Sequence, residues 1–344
     1  MASPSTLEST LTRAWLRRGP LACALWPISL LFGALAAARA RRYRRGSAAQ
    51  VRLPVPVVVV GNIFIGGTGK TPLTLWLAQV LRAAGYTPGI ISRGHGRSGA
   101  APLAVTTASR AEAVGDEPLL MARRSGCPVF VGRARAAAGQ ALLAAHPEVD
   151  ILIADDGLQH YALARDVEIV LFDGRGTGNG WLLPAGPLRE PPARRRDFTI
   201  VNAPAITPAL RAAVGGQPFG MHLAGHLAEP LLAPGQGVPL ASLAGKRIVA
   251  AAGIGNPERF FAMLRAAGLT ITPLALPDHH DFLDQPFARV DADIILITEK
   301  DAVKCGQIEQ LRNDPRLWVV PVTAVLDAPL ADLIVEKCRG SSPA

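Results

Sequence analysis

Lys70 and Thr71 close the run Gly66-Gly67-Thr68-Gly69-Lys70-Thr71, and these residue types at this spacing suit the holding of a polyphosphate. Glycines leave out the Cβ that would block backbone N–H groups from phosphate oxygens. The lysine offers a mobile cation to the β- and γ-phosphates, and the threonine hydroxyl is a Mg²⁺ ligand. The first glycine of the standard G-x-x-x-x-G-K-[ST] pattern falls at Phe64, so the loop is of the variant kind found in P-loop ATPases and small-molecule kinases. A glycine turn that carries Lys-Thr by chance is disfavoured by its flanks. Four valines precede it as a buried strand, and the pattern LTLWLAQVLRAAG follows it as a helix, bringing a positive dipole end to the loop.

Other chemistry-bearing residues cluster in short segments. Asp155 and Asp156 end the apolar run 149–154. A carboxylate there anchors Mg²⁺ in P-loop proteins, and the competing reading is a helix cap or turn former. Asp116 and Glu117 open the helical pattern after Gly115, where capping and proton acceptance from an attacking hydroxyl fit equally well. His279 and His280 stand between Asp278 and Asp281, as a proton relay or as an exposed polar loop. HxH spacing is absent and no cysteine is close in sequence, so zinc is not expected. Arg189 follows the glycine-rich loop GRGTGNGWLLPAGP and is suited to closing over phosphates, whereas Arg194 to Arg196 read as a solvated or membrane-facing run.

The elements that position these residues alternate strand and helix. Strands are expected at 55–60, 87–92, 128–131, 149–154, 167–172 and 198–202, with helices at 70–84, after 116 and at 133–145. Repeated βα units predict a parallel sheet with helices on both faces, and ligands beyond the strand C-terminal ends, where the glycine loop, Arg93 and Asp155-Asp156 all fall. A second series predicts strands at 247–252, 270–275, 293–297 and 317–323, with helices after 257, after 298 and near 328–338. The expected organisation is a basic, apolar helical segment over 1–46, a P-loop core over 47–205, a Pro/Gly-rich linker region over 206–245, and a smaller α/β domain over 246–344 that closes on the site.

Net charge is +9 over 344 residues, but residues 1–52 hold nine arginines against Glu8 alone, leaving the remainder 27 basic against 26 acidic. Basicity confined to one end argues against a nucleic-acid-binding body. Between Arg18 and Arg39 the chain is uncharged for twenty residues, about 30 Å as a helix, with arginines at both ends and Pro20 and Pro27 inside. Positive charge on both flanks suits attachment to an anionic leaflet on the cytoplasmic side and leaves open whether the helix spans or lies in the interface; a buried core helix with basic flanks is the alternative. Four cysteines without C-x-x-C spacing read as free thiols in a reducing compartment.

VVVVGN with GGTGKTP, SRGHGR, VGDEPLLMARR, ADDGLQH, LLPAGPLRE, AGIGNPERFF, PDHHDF and TEKDAVK, in this order, resemble the tetraacyldisaccharide 4′-kinase family from the N-terminal apolar helix to about residue 305. The resemblance implies a P-loop core facing a second α/β domain. It implies transfer of the ATP γ-phosphate, with Mg²⁺, to the 4′-hydroxyl of a tetraacylated glucosamine disaccharide 1-phosphate, yielding the 4′-phosphorylated lipid A precursor of lipopolysaccharide biosynthesis. The setting implied is the cytoplasmic face of the Gram-negative inner membrane, with no nucleic acid and no obligate protein partner. It implies that Phe64, Ile65, Gly66, Gly67, Thr68, Gly69, Lys70 and Thr71 hold the triphosphate, with Lys70 on the transferring group and Thr71 and Asp156 on Mg²⁺. Asp116 resembles the catalytic base and His279 its dyad partner. Asp155 and Glu117 are supporting carboxylates, and Arg189 and Arg133 contact phosphate or the transition state. His95 stands where the family usually has Tyr. Rival readings are a membrane-recruited ATPase, which would release phosphate without labelling a lipid, and a non-enzymatic membrane scaffold.

Overall fold

The computed structural model describes residues 14–94, 97 and 99–340; Arg13 and His95 lie outside them. An apolar helix, α1 (Pro20–Arg44), precedes a strand–helix series: β1 (Val57–Gly61), α2 (Lys70–Ala83), β2 (Pro88–Ser92), β3 (Leu103–Val105), α3 (Asp116–Ser125), β4 (Val129–Val131), α4 (Arg135–Ala145), β5 (Ile151–Asp155), β6 (Val167–Asp173) and β7 (Phe198–Asn202). β1 lies between β5 and β6, all parallel, so it has no solvent edge and tolerates its continuous valine run. Val58 and Val60 face one hydrophobic cluster with Leu73, Leu77, Leu119 and Met121 of α2 and α3, while Val57 and Val59 face another with Ala138 and Leu142 of α4. The two-residue period of the strand thus clothes both faces with helices.

The segment expected as a linker, 206–245, is structured. It contributes α5 (Pro208–Val214), β8 (Pro218–Ala224), β9 (Leu227–Pro230) and β10 (Val238–Pro239). β8 extends the first sheet in parallel with β7, and two residues later β9 belongs to a second sheet. That sheet is completed by β11 (Ile248–Ala252), α6 (Pro257–Ala266), β12 (Ile271–Ala275), β13 (Ile294–Thr298), α7 (Glu299–Cys305) and β14 (Leu317–Val320), in the order β10-β9-β14-β13-β11-β12.

The expected single strand over 317–323 is broken at Pro321. β15 (Thr323–Leu326) returns to the first sheet, antiparallel to β8, and α8 (Pro329–Arg339) buries Leu330, Ile334 and Cys338 against the first core. Residues beyond 322 therefore pack with the first unit and not with the second, because the apolar stripe of α8 matches the face of α2. The chain crosses between the sheets twice, at Gly225-His226 and at Pro321-Val322.

Candidate functional site

Gly66 and Gly69 both adopt φ of +101°, a conformation that disfavours a Cβ, and a Cβ on Gly69 would also sit 2.5 Å from Asn202 Nδ2. Gly67 serves otherwise: it approaches the Gly255 backbone of the second unit, where a Cβ would come within 4.0 Å of Gly255 N. Asn62, fully buried after β1, braces the loop from beneath. Its amide donates to Phe64 O at 2.6 Å and Gly66 O at 3.0 Å, while its Oδ1 accepts from Lys70 Nζ at 3.2 Å. Asn202 Nδ2 donates to Thr68 O at 2.8 Å, and the buried Thr68 hydroxyl has no partner among the described residues.

Phe64 and Ile65 do not share this presentation. Phe64 is buried in the core with the Arg175 guanidinium 4.2 Å from its ring centre, and the Ile65 N–H is already donated to Pro187 O. The part of the loop open to an anion begins at Gly66.

β5 ends beside this loop and separates its two carboxylates. Asp155 is buried and accepts from Ser92 Oγ at 3.1 Å and Thr74 Oγ1 at 3.4 Å. Burial, then the charges of Glu117 and Asp156, push its carboxyl up to about 7 against the pull of Lys70 and Arg135. Asp156, at φ of 47°, turns towards the loop, with Lys70 Nζ at 3.9 Å and Arg189 Nη1 at 3.4 Å. Burial alone would raise it, but Lys70, Arg189 and Arg135 together hold it below the usual carboxylate range. Oxygen-only donors from Thr71 and the ionised Asp156 suit a hard cation such as Mg²⁺, whereas the Asp155 carboxyl is occupied by its two hydroxyl donors. Arg135, not singled out from the sequence, reaches the Asp155 carbonyl at 3.5 Å from inside α4, while Arg133 stays exposed before it.

A native carboxyl that keeps its proton above the unfolded value stabilises fully below about pH 4 and loses that contribution as pH rises towards about 7. Asp155→Asn should therefore gain thermal stability relative to the parent protein as pH rises from about 4 to about 7, read as the difference in Tm across that range.

Across the cleft, α3 and α7 bring their charged residues together. Asp116 Oδ2 lies 3.3 Å from His279 Nδ1 and accepts from Lys304 Nζ at 2.9 Å. Burial pulls the Asp116 carboxyl up, but hydrogen bonds from His279 and Lys304 and the Lys304 charge outweigh it, leaving it below its ordinary range. Lys300 Nζ is 3.4 Å from Glu117, 3.5 Å from Asp278 and 3.3 Å from His279 Nε2. His279 itself sits at φ of 60°, held by Gly253 O through its N–H at 3.2 Å. His280 turns inward, its Nδ1 accepting from Phe282 N and its ring edge-on to Phe282. Lys300 and Lys304 carry no expected role from TEKDAVK in the sequence; their i, i+4 spacing is the signal that places both on one face of α7.

The loop before Arg189 is tied to the N-terminal segment. Trp15 Nε1 donates to Pro184 O at 2.9 Å, Arg18 Nε to Asn179 O at 3.1 Å, and Ser29 Oγ to Leu182 O at 2.7 Å. Gly33 allows Leu182 to seat against α1, since a Cβ there would fall 2.9 Å from its Cδ1. The arginines expected as a solvated run are largely internal: Arg194 pairs with Glu168 at 2.8 Å and Glu190 at 3.4 Å, and Arg196 donates to Val214 O and to Thr199 Oγ1, leaving Arg195 exposed.

A family model described as tetraacyldisaccharide-1-P 4′-kinase (LpxK) matches residues 21–339. The chain is 63% identical over 344 residues to a tetraacyldisaccharide 4′-kinase of Janthinobacterium sp. (strain Marseille), with 98% of each covered. It is 61% identical over 351 residues to one of Herminiimonas arsenicoxydans, again covering 98% of each. Among solved structures it resembles an "apo" form LpxK from Aquifex aeolicus in complex with ATP, at a TM-score of 0.76 and 29% identity, covering 92% of this chain and 99% of that one.

Proposed function

Because the chain belongs to the tetraacyldisaccharide-1-P 4′-kinase family, we propose that it transfers the γ-phosphoryl group of ATP to the 4′-hydroxyl of a tetraacylated glucosamine disaccharide 1-phosphate. The product is the 4′-phosphorylated lipid A precursor. One observation carries the reading beyond the family: a phosphate-side cluster of Lys70, Asp156 and Arg189 on one unit faces an Asp116 carboxylate met by His279 from the other.

In the reaction the bond from the 4′-oxygen to the γ-phosphorus forms as the bond from that phosphorus to the ADP oxygen breaks. Asp116 accepts the hydroxyl proton, and His279, 3.3 Å away, orients the carboxylate and shares the proton. Lys70 and Arg189 stabilise charge on the transferring group from fixed positions, where little reorganisation is required. Mg²⁺, held by Thr71 and Asp156, would neutralise phosphate charge. Asp155 supports the strand end through Ser92 and Thr74 and stays out of direct contact with the ligand.

The character of α1 supports membrane residence. The helix is long and apolar enough to cross a bilayer, with 11% of its most apolar window buried against the protein. Its docked face carries Ser29 and Gly33, and its open face carries Ile28, Leu31 and Leu35, more than half exposed. One-sided docking along mid-helix supports a helix lying in the interface, with its arginines on anionic headgroups at the cytoplasmic face of the inner membrane.

The direct test is purified protein in detergent with [γ-³²P]ATP, Mg²⁺ and the tetraacyl disaccharide 1-phosphate, resolved by thin-layer chromatography. A labelled lipid is the expected product. Free phosphate with unlabelled lipid would replace the kinase reading with a membrane ATPase.

A further inference from the structure

α3 and α7 lie side by side across the cleft with complementary charge. Along α3 the order is Asp116, Glu117, then Arg124 in the last turn; along α7 it is Glu299, Lys300, then Lys304. Asp116 meets Lys304, Glu117 meets Lys300, and Arg124 meets Glu299, so the helices are antiparallel and bridged at both ends. Asp116, Glu117 and Glu299 in the first turns and Arg124 and Lys304 in the last turns suit their helix dipoles, whereas Lys300, in the first turn of α7, is held there by its carboxylate partners.

The first two bridges lie among the proposed catalytic groups, but the third does not. Glu299, 9% exposed, pairs with Arg124 and also accepts from the Val322 N–H at 2.9 Å. Val322 belongs to the second crossing between the sheets. Beside this pair is a cavity of about 510 Å³, lined by Leu120, Arg124, Ala224, His226, Glu299 and Pro321. Side-chain packing is therefore incomplete on that flank of α7, and the ion pair bridges the gap.

We infer that Arg124 and Glu299 are positioning residues: their bridge, anchored on Val322, sets the alignment in which Lys300 and Lys304 face Glu117 and Asp116. The inference rests on the kinase reading above and adds to it two residues outside the Lys70, Asp156 and Arg189 cluster and the Asp116–His279 pair. A displacement of about 1 Å in a reacting constellation costs up to about 100-fold in rate. Arg124→Gln and Glu299→Gln, the latter keeping an acceptor for Val322, should each lower kcat by about 10-fold or more, with the KM for ATP changed less than about 3-fold.

Because the two act as one unit, the double variant should be no slower than the worse single, and Arg124→Lys should recover part of the loss. Hydrogen exchange over 299–305 should accelerate in both single variants by more than any fall in the global Tm accounts for. Additive losses in the double variant, unchanged kcat, or unchanged exchange would each overturn the inference. The exchange measurement does not depend on turnover, so failure of the wild-type protein to label lipid would strike the kinase reading and leave the bridge still decided by exchange.

Discussion

Asp116→Ala is expected to lower kcat for lipid phosphorylation by about 1,000-fold while leaving ATP binding close to wild type. Its carboxylate lies between His279 and Lys304 across the cleft from the phosphate loop, and its lowered pKa keeps it ionised throughout the neutral range. Proton acceptance is therefore not limited by its own titration near neutrality, and the acid limb of the rate profile should fall below the ordinary carboxylate range. Removing the carboxylate also strips Lys304, 15% exposed, of its ionic partner and leaves it, among the described residues, only the His280 carbonyl at 2.8 Å, so some loss of stability accompanies the kinetic effect. Asp116→Asn separates the two. It retains a hydrogen-bond acceptor for Lys304, and an equally deep loss of kcat in a folded Asn variant would assign the effect to proton transfer. A near-normal kcat in that variant would remove Asp116 from the role of base.

Lys70→Ala should be as damaging by a different route, lowering kcat/KM by about 100-fold to 1,000-fold with a clear loss of ATP affinity. Lys70 Nζ is held by Asn62 at 3.2 Å and near Asp156 at 3.9 Å, so its ammonium group is fixed before any ligand arrives. Loss of that cation leaves Asp156 compensated by Arg189 alone on its loop side and presents the β/γ-phosphates with less positive charge. Titration calorimetry with ATP distinguishes the two variants: Asp116→Ala should retain the binding isotherm and Lys70→Ala should lose much of it. Full ATP affinity in Lys70→Ala would place the triphosphate elsewhere.

The phosphate loop was legible because strand, glycines and helix are contiguous, and each local preference points the same way. Phe64, in the position of the missing first glycine, marked the one departure, and its burial under Arg175 explains why the open part of the loop starts two residues later. The pairing of Asp116 with His279 bridges 163 positions and has no spacing signature; only the family resemblance suggested it. Arg135 was missed in favour of Arg133 because two residues along a helix start turn a side chain to the opposite side, and the sequence does not say which turn faces β5.

β8 and β9 were hidden because both strands have mixed burial, so their apolar pattern is diluted where the chain passes between sheets. The same dilution hid the return of β15. A crossing point must satisfy two cores at once, and period-two alternation weakens there.

The double crossing has a consequence for how the protein is made. Residues 227–320 form an insertion between β8 and β15, so the first sheet is discontinuous along the chain and the second is not. During synthesis roughly 100 residues emerge between β8 and β15, a delay of about 5 to 20 seconds at ordinary elongation rates. Throughout that interval the face of α2 carrying Leu73, Leu77 and Leu81 awaits Leu330 and Ile334 of α8, while the inserted unit already has every strand it needs. The apolar α1 leaves the ribosome well before either event. Vectorial synthesis thus delivers the apolar helix first, the histidine-bearing unit second, and the finished first sheet last.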